Sequence, residues 1–286
     1  MDGFTLDLDR IRNWGCTGVA APTLAGEYAL PAGNNGDRDR RELLAGVYVA
    51  LYSAVGSAQA MPRQDDPERN AVHQMVVASA ALAASEAESY LTLVSAGLES
   101  SAFVHLRSLA ETVRRLVICR QYPALALRLY GTAETEWLRL MAPLNVRNVP
   151  RPTKGQENMR EVERSPEFCK AKADLQAAYH VLGDMEWKMW SKRTDCDVYA
   201  LVDVSQKLAA RGDDVRATIS REKPDGKSAN AHIMRAIGLC LLAFGSVVQE
   251  FGIQAGSVYA DFEARYGAMQ RRDDESGALK VAVRTP

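Results

Sequence analysis

The sequence predicts an all-α protein, a multi-helix bundle behind an irregular N-terminal arm. Three observations carry that prediction. Alanine and leucine are plentiful while aromatics make up only 7%, a mix that favours helix over sheet. Apolar residues recur at steps of three and four, and no strand-like alternation of useful length interrupts them. Proline and glycine, at Pro62, Gly97, Pro123 and Gly183, cut the chain into runs of helical length.

A chain of 286 residues suits one large domain or two small ones and can bury a sizeable core unaided. With 35 basic and 36 acidic side chains the net charge is −1, so no global basic field exists to attract nucleic acid. A local patch stays open. The five cysteines (Cys16, Cys119, Cys169, Cys196, Cys240) are widely spaced and form neither C-x-x-C nor a Cys/His pair with zinc spacing. Cys119 and Cys240 lie in apolar helical runs and read as packed thiols, in keeping with a reducing cytoplasm. Met1–Arg12 carries Asp2, Asp7 and Asp9 and lacks the apolar core of a secretory signal. The uncharged run Leu43–Pro62 approaches the ~20 residues of a membrane span. Its Gly46, Ser53, Gly56, Ser57 and Gln59 make it a buried helix instead.

Residues 1–36, with six glycines, Pro22 and Pro31, form the arm, anchored by Phe4, Trp14 and Tyr28. Asp37–Gln59 is the first long helix. Asp65-Asp66-Pro67-Glu68 opens the second, since aspartate before an early proline starts helices and acids suit the positive helix end. That helix runs to Gly97 with the stripe Val72, Met75, Val76, Leu82, Ala83, Tyr90, Leu93, Val94. At ~100° per residue Glu86 falls inside this stripe and Glu88 opposite it. A carboxylate on a buried face needs a partner. The third helix, Ser101–Arg120, buries Leu106, Leu109, Val113, Leu116 and Val117 and aligns Arg107, Glu111 and Arg114 on another face. An antiparallel hairpin about Gly97 sets Glu86 about level with Glu111, with Arg107, Arg114 and Arg115 in reach. Two readings stay open: a surface ion-pair ladder, or a semi-buried polar cluster partly covered by Val104 and Ile118.

Pro123 starts a fourth helix to Met141, with Leu125, Leu129, Ala133, Trp137 and Leu140 as its stripe and Glu136 within it. Residues 142–158, with three prolines and Arg147, Arg151 and Lys154, form a basic loop. A mixed-charge helix follows from Ser165 to Leu182. Trp187 and Trp190 between Lys188 and Lys192 either stack on bases or pack on a neighbouring helix. Asp195–Ala210 is helical, Pro224-Asp225-Gly226 a turn. Ser228 or Asn230 caps a long helix to Phe251, whose inner line holds His232, Ala236, Leu239, Ala243 and Val247. A last helix covers Ser257–Arg271. The bundle domain is thus 37–271, with 272–286 a flexible tail.

The sequence lacks a phosphate-binding P-loop, a dinucleotide fingerprint, a G-x-S-x-G elbow and H-E-x-x-H. No histidine has a glutamate three residues before it, so the E-x-x-H di-iron pattern is missing. No cofactor and no metal are assigned, although His180 with Asp184, or Glu86, Glu111, Glu136 and His232 gathered in a bundle core, are the sets that could hold one.

The segment SAGLESSAFVHLRSLAE, through Gly97, Ala102, Arg107, Ser108, Leu109 and Glu111, resembles an uncharacterised helical prokaryotic family in the wider HEPN-like group. The proline-initiated helix with Glu134 and Trp137 extends the likeness over about residues 70–140. The resemblance implies a HEPN-like helical core with extra C-terminal helices, often dimeric, sometimes encoded near phage-defence or toxin–antitoxin functions. Active HEPN ribonucleases carry R-x(4–6)-H, the Arg on phosphate and the His as acid or base at a 2′-hydroxyl. Here the nearest pair is Arg69–His73, with three residues between, and after Tyr199 and Ser205 no His follows until His232.

Two functions follow as expectations. One is a non-enzymatic binding or regulatory module, cytoplasmic and homo-oligomeric, with RNA or protein as partner and no membrane. The other is a metal-independent ribonuclease with a non-standard site drawn from Arg107, Glu111, His105 and His232. Glu86, Glu136 and Arg114 are the expected binding residues, and whether the chain is an enzyme is left open.

Overall fold

A computed structural model describes residues 35–62, 64–96, 98–141, 159–182 and 226–275. These hold eight α-helices and one 3₁₀ turn, with no strand among the described residues. The helices are α1 (Asn35–Gln59), α2 (Pro67–Ser95), α3 (Glu99–Gln121), α4 (Pro123–Met141), α5 (Met159–Arg164), α6 (Pro166–Ala178), α7 (Gly226–Phe251) and α8 (Gly256–Glu275), with the 3₁₀ turn at His180–Leu182. The all-α bundle expected from composition and periodicity is what the chain forms.

Four helices make the core. α2 packs most extensively on α3 and also on α1 and α7, while α7 closes the set against α1 and α3. His73 near the start of α2 meets Phe251 at the end of α7, ring centroids 4.8 Å apart, so these two helices run antiparallel. Phe103 and His232, both early in their helices, meet at 4.7 Å, and Glu250 late in α7 feels Arg120 late in α3. α3 and α7 are therefore parallel. α4 lies on α2 and α3, α5 and α6 on the outer side of α3 and α4, and α8 on α7 and α1.

Local chemistry explains the helix ends. Asp66 caps α2, its side chain accepting from the Glu68 N–H at 2.9 Å, with Pro67 in the first turn. Ser165 caps α6 in the same way, accepting from Phe168 N–H at 3.3 Å. Gly252 stops α7 at φ 61°, a left-handed position that glycine takes without penalty, and Ile253 N–H reaches back to the Val248 carbonyl at 3.0 Å.

The inner faces are as apolar as the periodicity requires. Leu106, Leu109, Val113, Leu116 and Val117 of α3, and Ala236, Leu239, Ala243 and Val247 of α7, are fully buried. Each large aliphatic side chain removed from water contributes roughly 1.5–3 kcal/mol. Leu43, Leu44, Val47, Leu51 and Ala54 of α1 are fully buried too, so the uncharged run there is core. Among the described residues, α7 is the helix whose length and composition would suit a membrane, and 72% of its apolar stretch is inside the bundle.

α8 docks through aromatic side chains set opposite glycines. Tyr259, Phe262 and Tyr266 face Gly245 of α7, Gly46 of α1 and Gly238 of α7. A β-carbon at Gly238 would lie 2.7 Å from the Tyr266 hydroxyl and 3.0 Å from Val181, inside van der Waals contact. Arg40 of α1 and Asp273 of α8 add a largely buried ion pair beyond the last aromatic.

Several expectations change. α7 begins at Gly226, so Ser228 and Asn230 lie inside the helix and not at its N-cap position. α8 extends through Glu275, past the predicted start of the tail at 272. The mixed-charge helix ends at Ala178, and α5 is an additional helix. Leu82 and Val104 are 44% and 50% exposed. The middle of the buried face of α2 is lined by small residues, Ser79, Ala80, Ala83, Ala84 and Ala87, and Leu82 lies outside it. The arm up to residue 34, Gly97, the 142–158 loop, the Trp187/Trp190 pair, Asp184 and the 195–210 helix lie outside the described residues.

Candidate functional site: two polar clusters on the outer side of the third helix

The α2–α3 hairpin carries the first cluster. Glu86, with a side chain only 17% exposed, accepts from His105 Nδ1 at 2.7 Å on one oxygen and from the Ser108 hydroxyl at 2.9 Å on the other. A carboxylate accepts, so Nδ1 carries a proton in this contact. His105 is one-third exposed. The serine bonds to the carboxylate and not to the imidazole, so the three residues do not form a nucleophile relay, which requires the base to touch the hydroxyl.

This corrects the expected partners. Glu86 is level with His105 and Ser108, one turn short of Glu111, and the pairing is with His105 in place of Arg107, Arg114 or Arg115. Arg107 turns along its own helix to Glu111 at 3.5 Å, and Glu111 is 44% exposed. That part of the face is the surface ion-pair ladder, and Glu86 is the semi-buried polar cluster. Glu88, on the other side of α2, accepts from Tyr52 of α1 at 3.3 Å. Burial, reinforced by Glu88 and Tyr52, pushes the neighbouring Tyr48 phenol up to about 12.

His232 does not join Glu86. It packs edge-on against Phe103, and Phe103 and His105 leave α3 about 200° apart. The Phe103–His232 pair thus faces α7 while His105 faces α2. The side chain of Glu136, on α4, lies outside the described side chains, as does that of His180. Among the described residues no group of three or more His, Cys, Asp or Glu is placed to hold a metal.

The second cluster lies further along α3. Ser108, Glu111 and Arg115, at steps of three and four, share one stripe, and Ser108 to Arg115 spans ~10 Å of helix axis. Here α3, α5 and α6 enclose an open groove of about 410 Å³ lined by Glu111, Arg114, Arg115, Arg160, Glu163, Arg164, Phe168 and Lys172. α5 has only six residues and could not persist alone. It is held by fully buried Val162 and by Glu163, which takes the Arg115 guanidinium at 2.7 Å. α6 is held by Phe168, Ala171 and Leu175 at helical spacing.

The electrostatics of the groove are one-sided. Among the described residues that line it, five cations face two carboxylates, a surplus of three positive charges. Among the described residues Arg160, Arg164 and Lys172 make no ion pair. Arg115 Nε is buried without a hydrogen-bond acceptor, a state that costs about 1–3 kcal/mol. Arg114 is nearly fully buried in the wall. Outside the rim, Glu167 is held below the usual carboxylate range by its own backbone N–H, then by Ser165, with Arg128 a smaller contributor.

Sequence reasoning named Arg114 and Glu111 but missed Arg160, Glu163, Arg164 and Lys172. The visible signal was the MREVER run, in which Arg160 and Arg164 stand four apart on one helical face. Nothing in the sequence says that α3 lies beside it. Comparison with known proteins gives no matching family model, no matching curated protein and no matching solved structure.

Proposed function

We propose that this chain is a helical binding module whose ligand is an anion received between α3, α5 and α6. The observation that carries the reading is the surplus of three positive charges in that groove, with Arg160, Arg164 and Lys172 uncommitted among the described residues. Like charges brought together lower stability unless a ligand of opposite sign offsets them. A planar guanidinium offers paired donors to phosphate oxygens. The HEPN-like resemblance supplies the setting of the proposal: a regulatory module of a bacterial defence or toxin–antitoxin-like system, cytoplasmic and homodimeric.

Calorimetric titration of the full chain with inorganic pyrophosphate tests the binding. Saturable heat that weakens as salt rises from low to physiological supports it. Absence of heat at low salt removes it. Sedimentation velocity gives the oligomeric state, and a monomer at all concentrations removes the homodimer.

A second reading, a metal-independent ribonuclease, is favoured by one observation. His105, one-third exposed, is held by Glu86 through Nδ1, ~15 Å along the helix axis from Arg115. That is the orientation a general base needs, with phosphate-binding groups further along the helix. Incubation with total RNA, with and without EDTA, alongside His105→Ala and Arg115→Ala, decides it. Intact RNA in every sample, or cleavage that His105→Ala leaves unchanged, ends the nuclease reading.

A further inference from the structure

We infer that the anion received by the α3–α5–α6 groove is a nucleoside diphosphate, a small ligand with two phosphates at one end and hydrogen-bond donors at the other. The inference rests on the anion-binding reading and goes beyond it in naming the ligand class.

Size is the first argument. The groove measures about 410 Å³, within the roughly 300–1,000 Å³ of small-molecule sites. A nucleic-acid strand needs a longer basic track than this. Beyond the lining, α5 and α6 carry Glu161, Glu167 and Asp174 against Lys170, so these two helices add no further net positive charge beside the groove.

Charge is the second. A diphosphate carries about −3 near neutral pH, which matches the excess of five cations over two carboxylates. Arg160, Arg164 and Lys172 come from two adjacent helices and supply guanidinium forks and an ammonium to the groove.

The third argument is the carboxylates. A site for bare phosphate gains nothing from Glu111 and Glu163, which repel it. Glu163 is tied to Arg115, but Glu111 is 44% exposed and its contact with Arg107 is long, at 3.5 Å. An accessible carboxylate in the same lining as phosphate-binding cations accepts from donors that phosphate lacks, the hydroxyls of a ribose or the amino group of a base. Phe168, 6% exposed, adds an apolar side chain to the same lining.

The test is calorimetry on the full chain at low salt with inorganic pyrophosphate, the diphosphates of adenosine, guanosine, cytidine and uridine, the free nucleosides, and a single-stranded RNA 12-mer. At least one nucleoside diphosphate is expected to bind about tenfold tighter than pyrophosphate, a difference within reach of one or two added hydrogen bonds. Free nucleosides are expected to give no heat. Arg164→Glu should weaken pyrophosphate and nucleotide alike. Glu111→Gln should leave pyrophosphate binding unchanged or tighter and cancel the nucleotide's advantage, and circular dichroism confirms that both variants are folded.

Pyrophosphate binding as tightly as every nucleotide overturns the inference and leaves the anion-binding reading standing. No binding by any of these compounds overturns both. RNA binding more tightly than any nucleotide, and losing that affinity in Arg164→Glu, replaces the small ligand with a polymer. A nucleotide advantage that survives Glu111→Gln overturns the role given to Glu111 and with it the inference.

Discussion

The two polar clusters on α3 differ in one respect that decides what each can do. Around Glu86 every strong group has its partner inside the hairpin: both carboxylate oxygens are taken, by His105 and by Ser108. Two turns on, between α3, α5 and α6, the partners run out: three cations have none among the described residues. A closed network spends its charge on holding two helices in register. An open one leaves its charge available to a group outside the chain. Proximity on one helix therefore does not make one site, and the functional reading belongs with the open cluster.

The difference is measurable, and the largest effect falls on the groove. The double variant Arg160→Glu/Arg164→Glu should weaken pyrophosphate binding about a hundredfold, because two charge-assisted contacts become repulsive. Its unfolding free energy should move by no more than about 0.5 kcal/mol, since both side chains are exposed. Calorimetry and urea denaturation read the two quantities. A large loss of stability would place these arginines in the closed class.

Next come effects on stability alone. Gly238→Ala places a methyl group against Tyr266 and Val181 and should cost about 1–3 kcal/mol. Its effect on binding should be nil, which sets the noise level for the comparison. Glu86→Ala leaves His105 and Ser108 without their acceptor and should cost about 1–2 kcal/mol, with pyrophosphate affinity unchanged. Glu86→Gln, which keeps an acceptor, should recover part of that. If Glu86→Ala weakens binding in parallel, the clusters are coupled and the division drawn between them fails.

A smaller effect comes from pH. His73 is buried against Phe251, and burial lowers its pKa below 6.5, only partly countered by its N–H bond to the Ala58 carbonyl. The unfolded chain then takes up its proton first as pH falls. Stability should accordingly be constant above about pH 7 and decline below about pH 6.5, down through the lowered folded value. His73→Phe should flatten that limb in denaturation curves recorded between pH 7 and pH 5. The smallest change is expected from Arg107→Ala. Its bond to Glu111 is 3.5 Å and partly solvated, and such pairs contribute about 0–1 kcal/mol.

Much of the bundle was legible because its rules are local. The apolar stripe of α3, the inner line of α7, the Asp66–Pro67 start and the stop after Phe251 follow from periodicity and end chemistry within a few residues. Glu86 on an apolar stripe was legible for the same reason, and its need for a partner followed from the cost of burying a carboxylate. The partner's identity was not. It depends on the offset between α2 and α3, and a hairpin register read by counting from Gly97 missed by about one turn, enough to exchange Glu111 for His105.

Sequence by itself thus determined the helices, their buried faces, the near-neutral charge that leaves no global basic field, and the presence of a polar residue in the α2 stripe. Only the tertiary structure decided which charges meet. It brought Arg115 of α3 to Glu163 of α5 across 48 residues, and it set Arg160, Arg164 and Lys172 around one groove. It also turned Phe103 and His105 to different neighbours. The physical reason is range. Helix propensity, capping and periodicity act over a few residues along the chain. Coulombic and hydrogen-bond pairing act over a few ångströms in space, and helix packing alone converts one distance into the other.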